Sequence, residues 1–224
     1  MEENKNLVDL WKQLEMPFRT NNYNGDAGHG ILGTQNMYSS PVCLVAVHSV
    51  NHYSGAGERN RKPVDINTGG LVRLLGSLTP VVTCYNNARC AEINPYLGVT
   101  AMDRELEQLV TEGGIRTVLD IHGARDNDFF DIAIGTGGHP ATIAQRALIR
   151  FMVPRLTDAG YAVVINPPQY RGARPVTIVA RHRHRPGVGV LQVELIRRMR
   201  EPEKPEAIQL VRELASILKD LTDK

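Results

Sequence analysis

Two histidines stand at the ends of apolar runs: "VCLVAVH" closes on His48 and "RTVLDIH" closes on His122. A third run, "VLQVEL", sets Glu194 between Val193 and Leu195. An ionised carboxylate among apolar neighbours needs a partner, a metal or an opening onto a cleft. Two strand-terminal histidines and one loop carboxylate are the donor set of a three-ligand zinc centre with a fourth position open to water. Asp65, just before a helix start, and Glu58, within the preceding loop, are the carboxylates in reach. The plain alternative is that each histidine is a hydrogen-bonded structural residue and that Glu194 faces solvent from an edge strand. Beyond His122 the chain turns to charge, with Arg125, Asp126 and Asp128. Asp120, two residues before His122, is placed to orient it from behind.

These residues need a scaffold that presents strand tips. Continuous apolar runs such as Val42–His48 suit strands buried on both faces. Further strands are expected at "VVTCY", "DIAIG", "YAVVIN", "PVTIVA" and "VGVLQVEL". Helical spacing appears at Lys5–Leu14, from Asn67 or Thr68 through "GGLVRLLGSL", and at Ala101–Thr111. It recurs at Thr142–Ala159, where Pro154 would kink or split the helix, and at Pro205–Leu221. Residues 20–40, rich in Gly, Asn and Ser, read as an irregular loop. Strands alternating with helices predict an α/β fold, with a mixed, mostly parallel central sheet flanked by helices. In such a sheet ligands bind outside the carboxyl ends of the strands.

The composition agrees with one domain over 1–224: 42% hydrophobic and 22% charged residues in a chain of 224. The net charge of +2 demands neither nucleic acid nor a membrane surface as partner. No apolar run approaches the roughly 20 residues that span a bilayer. The acidic, amphipathic start is unlike a secretory signal, and the expectation is a cytoplasmic protein. Cys43, Cys84 and Cys90 lack paired metal-ligand spacing and read as reduced thiols.

Five segments, in order over about Val42 to Arg200, resemble those of the N-formylglutamate amidohydrolases. "LVAVHS" is similar to that family's Pro-His-Ser-Gly strand end, and "VDINTGGLVRLL" to its acidic segment before the first helix. "YNNARCAEINPY" is similar to its Ser-Arg and Asp-Leu-Asn-Arg segment. "VLDIHGARDNDFFDIAIG" resembles its Asp-Leu-His-Ser strand and Asp-Ile-Val-Leu-Gly. "PVTIVARHRHRPGVGVLQVELIRRM" resembles its Ile-Thr-Arg-His and Leu-Gln-Leu-Glu segments. The resemblance implies a zinc carboxypeptidase-like fold and one zinc per chain, held by His48, His122 and a carboxylate. Asp65 fits that place better and Glu58 is the reserve. It implies Glu194 as general base, Arg89 as stabiliser of the oxyanion, and Arg181 and His182 as substrate-binding residues. The chain departs from the family at Gly123, which follows His122 in place of serine, and at Pro95, which replaces the arginine of Asp-Leu-Asn-Arg.

Zinc lowers the pKa of the water it holds and polarises a carbonyl, so the expected reaction is cleavage of a C–N amide bond. Arginines crowd the loops at 59, 61, 125, 171, 174, 181, 183 and 185. Their planar forks suit carboxylates, so the expected substrate is a small acidic amide or peptide, with Arg125 among its contacts. "RHRHR" would alternate its side chains along an extended segment, but no aromatic platform accompanies it for nucleic acid. "GTGGHP" lacks the ending of a phosphate loop, and His139 is a weak third candidate for metal. A carboxypeptidase- or poly-γ-glutamate-type peptidase, or a non-catalytic anion-binding protein, are the alternatives.

Overall fold

The computed structural model describes residues 2–26, 28, 30–36, 40–53, 61–127, 129–138 and 140–223. In chain order the elements are α1 (Glu2–Tyr23), β1 (Leu32–Gln35), β2 (Val42–Ala46), β3 (His52–Tyr53), β4 (Arg61–Lys62), α2 (Thr68–Leu78), β5 (Val82–Asn86) and α3 (Ala101–Thr111). They continue as β6 (Thr117–Gly123), β7 (Ile132–Gly135), α4 (Ile143–Asp158), β8 (Val163–Ile165), α5 (Ile178–His182), β9 (Gly189–Leu195) and α6 (Pro205–Thr222). No helix among the described residues is long and apolar enough to cross a membrane.

Seven strands form one sheet in the order β1-β5-β2-β6-β9-β7-β8. The pairs β5–β2, β2–β6, β6–β9 and β7–β8 are parallel, while β1–β5 and β9–β7 are antiparallel. This is the expected mixed, mostly parallel sheet flanked by helices. After β2 the chain crosses to β5 on one side and then passes back over to β6 on the other. β2 therefore lies at the topological switch, where the carboxyl ends of the strands leave a crevice. Leu44, Leu119, Leu191 and Val193 share one core with α1, α2, α4 and α6. Val45, Cys84, Val118 and Val190 share the other with Met102, Leu106 and Leu109 of α3 and Ile178 and Val179 of α5. Every residue of β2 and β5 is buried, and β2 accordingly reads as an unbroken apolar run.

Five local expectations are corrected. "PVTIVA" is not a strand: Thr177 caps a short helix by accepting from the Ala180 N–H, and Ile178–His182 follow as α5. "RHRHR" is therefore not extended, and its side chains do not alternate. The loop over 20–40 contains β1, an antiparallel edge strand on β5. The first helix extends past Leu14 to a kink at Thr20–Asn22, with Pro17 inside it. Finally, Asn67 precedes α2 but does not cap it with its side chain. The cap comes from α1: Glu15 accepts from the Asn67 N–H at 2.9 Å and from the Gly70 N–H at 2.6 Å. A Cβ at Gly70 would stand 2.7 Å from Glu15 Oε2, so this approach requires glycine.

The layer of α3 and α5 is tied together by Asp103, which forms a capping box with Thr100 at the start of α3. It also accepts from His182 Nε2 at 3.1 Å and is paired with Arg181. Burial alone would raise the Asp103 carboxyl, but hydrogen bonds from His182 and Thr100 and the charge of Arg181 bring it down to about 2. A depressed carboxylate stabilises the fold above its unfolded pKa and loses that contribution as pH falls through its folded value. We expect Asp103→Asn to cost about 2 kcal/mol at pH 7, and the deficit to shrink between about pH 4 and pH 2. Urea unfolding of both proteins across that window checks it; a deficit independent of pH would count against this account.

Candidate metal centre and cleft

The strand tips gather the residues. His48 lies two positions beyond β2, and its carbonyl accepts from the Asp65 N–H at 2.9 Å, which folds the turn before α2 onto the strand end. The Asp65 carbonyl in turn accepts from the Thr68 backbone and hydroxyl, at 3.1 and 2.7 Å. His122 and Glu194 are register partners on β6 and β9, as are Asp120 and Gln192 two residues earlier. Because side chains alternate along a strand, these four share one sheet face.

The ligand atoms of His48, Asp65 and His122 lie within 4.8 Å of one another. His122 Nδ1 is 3.3 Å from Asp65 Oδ2, and its Nε2 is 2.8 Å from Asp120 Oδ2. The rings of His48 and His122 meet edge to face at 4.7 Å, and His52 stacks on His48 at 4.1 Å. Burial holds His48 well below the usual histidine range, with His52, Lys62 and His122 adding to the effect. Burial would also lower His122, but Asp120 and Asp65 outweigh it and hold that ring up to about 10. Burial alone would raise Asp65, but the hydrogen bond and charge of His122, with Lys62 and the Gly123 backbone, together bring it below the usual range.

This donor set fits a divalent cation. His48 is neutral, and its Nδ1 is buried without a hydrogen-bond partner among the described residues. The proton shared between His122 and Asp65 is the one a cation would displace. Asp120 takes the far ring nitrogen of His122, the carboxylate–histidine support that fixes the tautomer of a metal ligand. His48, Asp65 and His122 would hold the ion. Glu58 and His139 lie outside the described residues.

Glu194 is buried beside this cluster. Desolvation pushes its carboxyl above the usual range, with Asp65 and Asp120 reinforcing and His122 and Lys62 opposing. Gln192 Nε2 donates to Glu194 Oε1 at 2.7 Å. Both residues open onto a cleft of about 1460 Å³ that also exposes Asp65, His122, Lys62, Arg125, Arg171 and Arg174. Of the other predicted residues, Arg89 is not among those lining the cleft. Arg181 and His182 are bound to Asp103 rather than directed to the metal cluster.

Sequence reasoning missed Arg200. Its guanidinium is buried and donates from Nε to the Leu195 carbonyl at 3.0 Å and from Nη2 to the Ala124 carbonyl at 3.2 Å. Nη1 donates to the Ile66 carbonyl. A Cβ at residue 123 would lie 2.6 Å from the Arg200 Cζ. The glycine after His122 is the space that this arginine occupies.

No family model matches the chain, and no curated protein matches it. Among solved structures, a gene product of Agrobacterium tumefaciens is similar over 88% of this chain and 97% of its own, with 15% identity and a TM-score of 0.56. That likeness shows a shared fold. Looser likenesses are to a bacteriophage poly-gamma-glutamate hydrolase and a metallo-carboxypeptidase from Burkholderia cenocepacia. The first covers 85% of this chain and 87% of its own, at 14% identity and a TM-score of 0.49. The second covers 82% and 57%, at 13% identity and a TM-score of 0.45.

The ligand set has a direct consequence. Titration of the chelated protein with zinc should reach one ion per chain. His122→Ala and Asp65→Ala should each weaken uptake at least about 100-fold, since each removes one of three ligands. Undiminished uptake by either variant would place the ion elsewhere.

Proposed function

We propose that the chain is a zinc-dependent amidohydrolase of the N-formylglutamate amidohydrolase type, cleaving the C–N bond of an acyl-amino acid or related acidic amide. The observation that carries this reading is the buried carboxylate of Glu194, its pKa raised by desolvation, beside the His48–Asp65–His122 cluster at the wall of an arginine-lined cleft. A zinc ion held there supplies a Lewis acid for the amide carbonyl and acidifies water near neutral pH.

The chain's own groups do the rest. Glu194 takes the proton of the attacking water and returns it to the nitrogen as the C–N bond breaks, leaving a carboxylic acid and an amine. Gln192 holds Oε1 of that carboxylate and leaves Oε2 to carry the proton. Asp120 fixes the His122 ring. Lys62 and Arg174 line the cleft beside the cluster and are the cations we assign to the developing oxyanion, in the role the resemblance gives to Arg89. Arg125 and Arg171 would receive the substrate's carboxylate by bidentate pairing. The substrate is a small molecule or short peptide in the cytoplasm; nucleic acid and membrane are not part of the proposal.

The size of the cleft favours a second reading within the same chemistry. About 1460 Å³ exceeds the roughly 300–1,000 Å³ of ordinary small-ligand sites, which suits a peptidase working on a longer acidic chain. Glu194→Gln is the decisive variant. It should keep one zinc per chain and lose at least about 100-fold in kcat on a panel of N-formyl, N-acyl and γ-glutamyl substrates. Retained turnover removes Glu194 as the base. A wild-type protein that binds acidic ligands but turns over none of the panel is an anion-binding protein instead.

A further inference from the structure

The three ligand residues are not held alike. His48 stands two residues beyond β2 and His122 lies within β6, and the parallel pairing of those strands fixes one against the other. Asp65 comes from a turn outside the sheet. Along that turn Lys62, Val64 and Asp65 are half-buried, and Pro63 and Ile66 are exposed, Ile66 at 48%. Packing of its own apolar side chains therefore does not seat it. A backbone bond from the Asp65 N–H to the His48 carbonyl, at 2.9 Å, ties it to the end of β2. Its backbone must also be tied to the tip of β6, where His122 meets the same ion, and that tie is Arg200.

Arg200 closes a single turn, Arg197–Arg200, that follows β9, and it is 7% exposed. Nη1 donates to the carbonyl of Ile66, the residue after Asp65. Nη2 reaches the Ala124 carbonyl just past β6, and Nε the Leu195 carbonyl that ends β9. Asn67 Nδ2 returns a bond to the Arg200 carbonyl at 2.7 Å. Asn67 is also held from α1, where Glu15 accepts its N–H and Trp11 donates to its carbonyl. The two residues after Asp65 are thus fixed by Arg200 on one side and α1 on the other. The guanidinium lies against bare backbone: a Cβ at Gly123 would stand 2.6 Å from Cζ, 2.7 Å from Nη2 and 2.9 Å from Nη1.

We propose that Arg200 is a positioning residue of the metal centre, locking the Asp65 turn to the tips of β6 and β9 and so setting how tightly the cluster holds its cation. Gly123 is the space that admits the lock. The bonds that Arg200 makes to the turn and the strand tips all go to main-chain carbonyls, so it acts on Asp65 through the backbone and not as a ligand. A lysine carries the same charge but one donor atom, and it cannot hold three separate segments in one plane. Groups that orient metal ligands from outside the coordination sphere change metal affinity by about 10–100-fold, which is the size of effect expected here. The proposal rests on the metal-centre reading and assumes nothing about the substrate.

Zinc affinity, measured by competition with a chelator, tests it without any turnover. Arg200→Lys should bind zinc at least about 10-fold more weakly than the wild type while its far-ultraviolet circular dichroism is unchanged. If the arginine acts through Asp65, the same change in an Asp65→Ala background should alter affinity by no more than about 2-fold, whereas in a His122→Ala background the full loss should persist. A general loosening of the fold would instead weaken both backgrounds equally. Gly123→Ala, which displaces the guanidinium, should also weaken zinc binding at least about 5-fold. In Arg200→Lys it should add no more than about 2-fold. Unchanged zinc affinity in Arg200→Lys, or a loss of equal size in the Asp65→Ala background, overturns the assignment. Should Arg200→Lys not fold, Gly123→Ala decides alone, and undiminished affinity there overturns it. A wild-type protein that takes up no zinc overturns the metal-centre reading itself and the proposal with it; normal uptake that Arg200→Lys leaves intact overturns the proposal only.

Discussion

The site depends on one buried cation. Arg200 donates to three carbonyls, each at the end of a segment that carries a site residue. Leu195 directly follows Glu194, Ile66 directly follows Asp65, and Ala124 lies two residues past His122. The fourth contact runs the other way: Asn67 Nδ2 donates to the Arg200 carbonyl at 2.7 Å. A planar guanidinium with several fixed donors can bind three chain segments at once in a way that a lysine cannot. β6 and β9 are also joined at their tips, where the Ala124 N–H donates to the Leu195 carbonyl at 2.8 Å, but the turn at Asp65–Asn67 lies outside the sheet, and Arg200 ties it to both strand ends.

Burying that charge is costly, and burial does lower the Arg200 pKa, with Asp65 and Glu194 acting in the opposite sense. The arginine is therefore an electrostatic member of the site as well as a brace. It offsets part of the charge that Asp65, Asp120 and Glu194 concentrate around His122. It also accounts for a departure seen in the sequence. A side chain after His122 would collide with the guanidinium, so glycine at 123 and arginine at 200 are two halves of one arrangement. The same brace reaches α1. Glu15 holds the Asn67 and Gly70 N–H groups, and Trp11 Nε1 donates to the Asn67 carbonyl at 3.2 Å. Asn67 can serve both partners only because it adopts a left-handed backbone, with φ of 68°, which asparagine tolerates better than most residues.

What the sequence made legible follows from where apolar patterning ends. His48, His122 and Glu194 interrupt runs that the sheet must bury, so their positions at strand tips were readable, and the turn before α2 made Asp65 a natural partner. The brace was not readable, because its members look ordinary in isolation. Arg200 closes the surface-like run "RRMR", Glu15 sits on an amphipathic helix, and both acquire meaning only through contacts more than fifty residues away. "PVTIVA" misled for a related reason. Its β-branched residues favour a strand, yet Thr177 caps a turn of helix and the buried Ile178 and Val179 pack against the sheet from below. There tertiary packing overrode a weak local preference.

The division of charge around the ligand cluster completes the picture. On one side the broad cleft is lined by Arg125, Arg171, Arg174, Arg197 and Arg200, and on the other a small chamber is lined in large part by apolar side chains such as Val47, Ile93, Met102 and Ile178. Both spaces are consequences of the sheet's switch at β2. The cleft lies outside the strand ends toward the segment 168–175, whereas the chamber lies between the sheet and the α3–α5 layer that Asp103 holds together. A substrate lying across the cluster would meet a broad, arginine-rich flank on one side and a narrow, more apolar one on the other. That asymmetry gives the site a direction, which a symmetric set of two histidines and one aspartate does not possess by itself. The fold brings His48, Asp65 and His122 together from the end of β2, the turn before α2 and β6, and Lys62 and Arg174 stand where the two spaces meet.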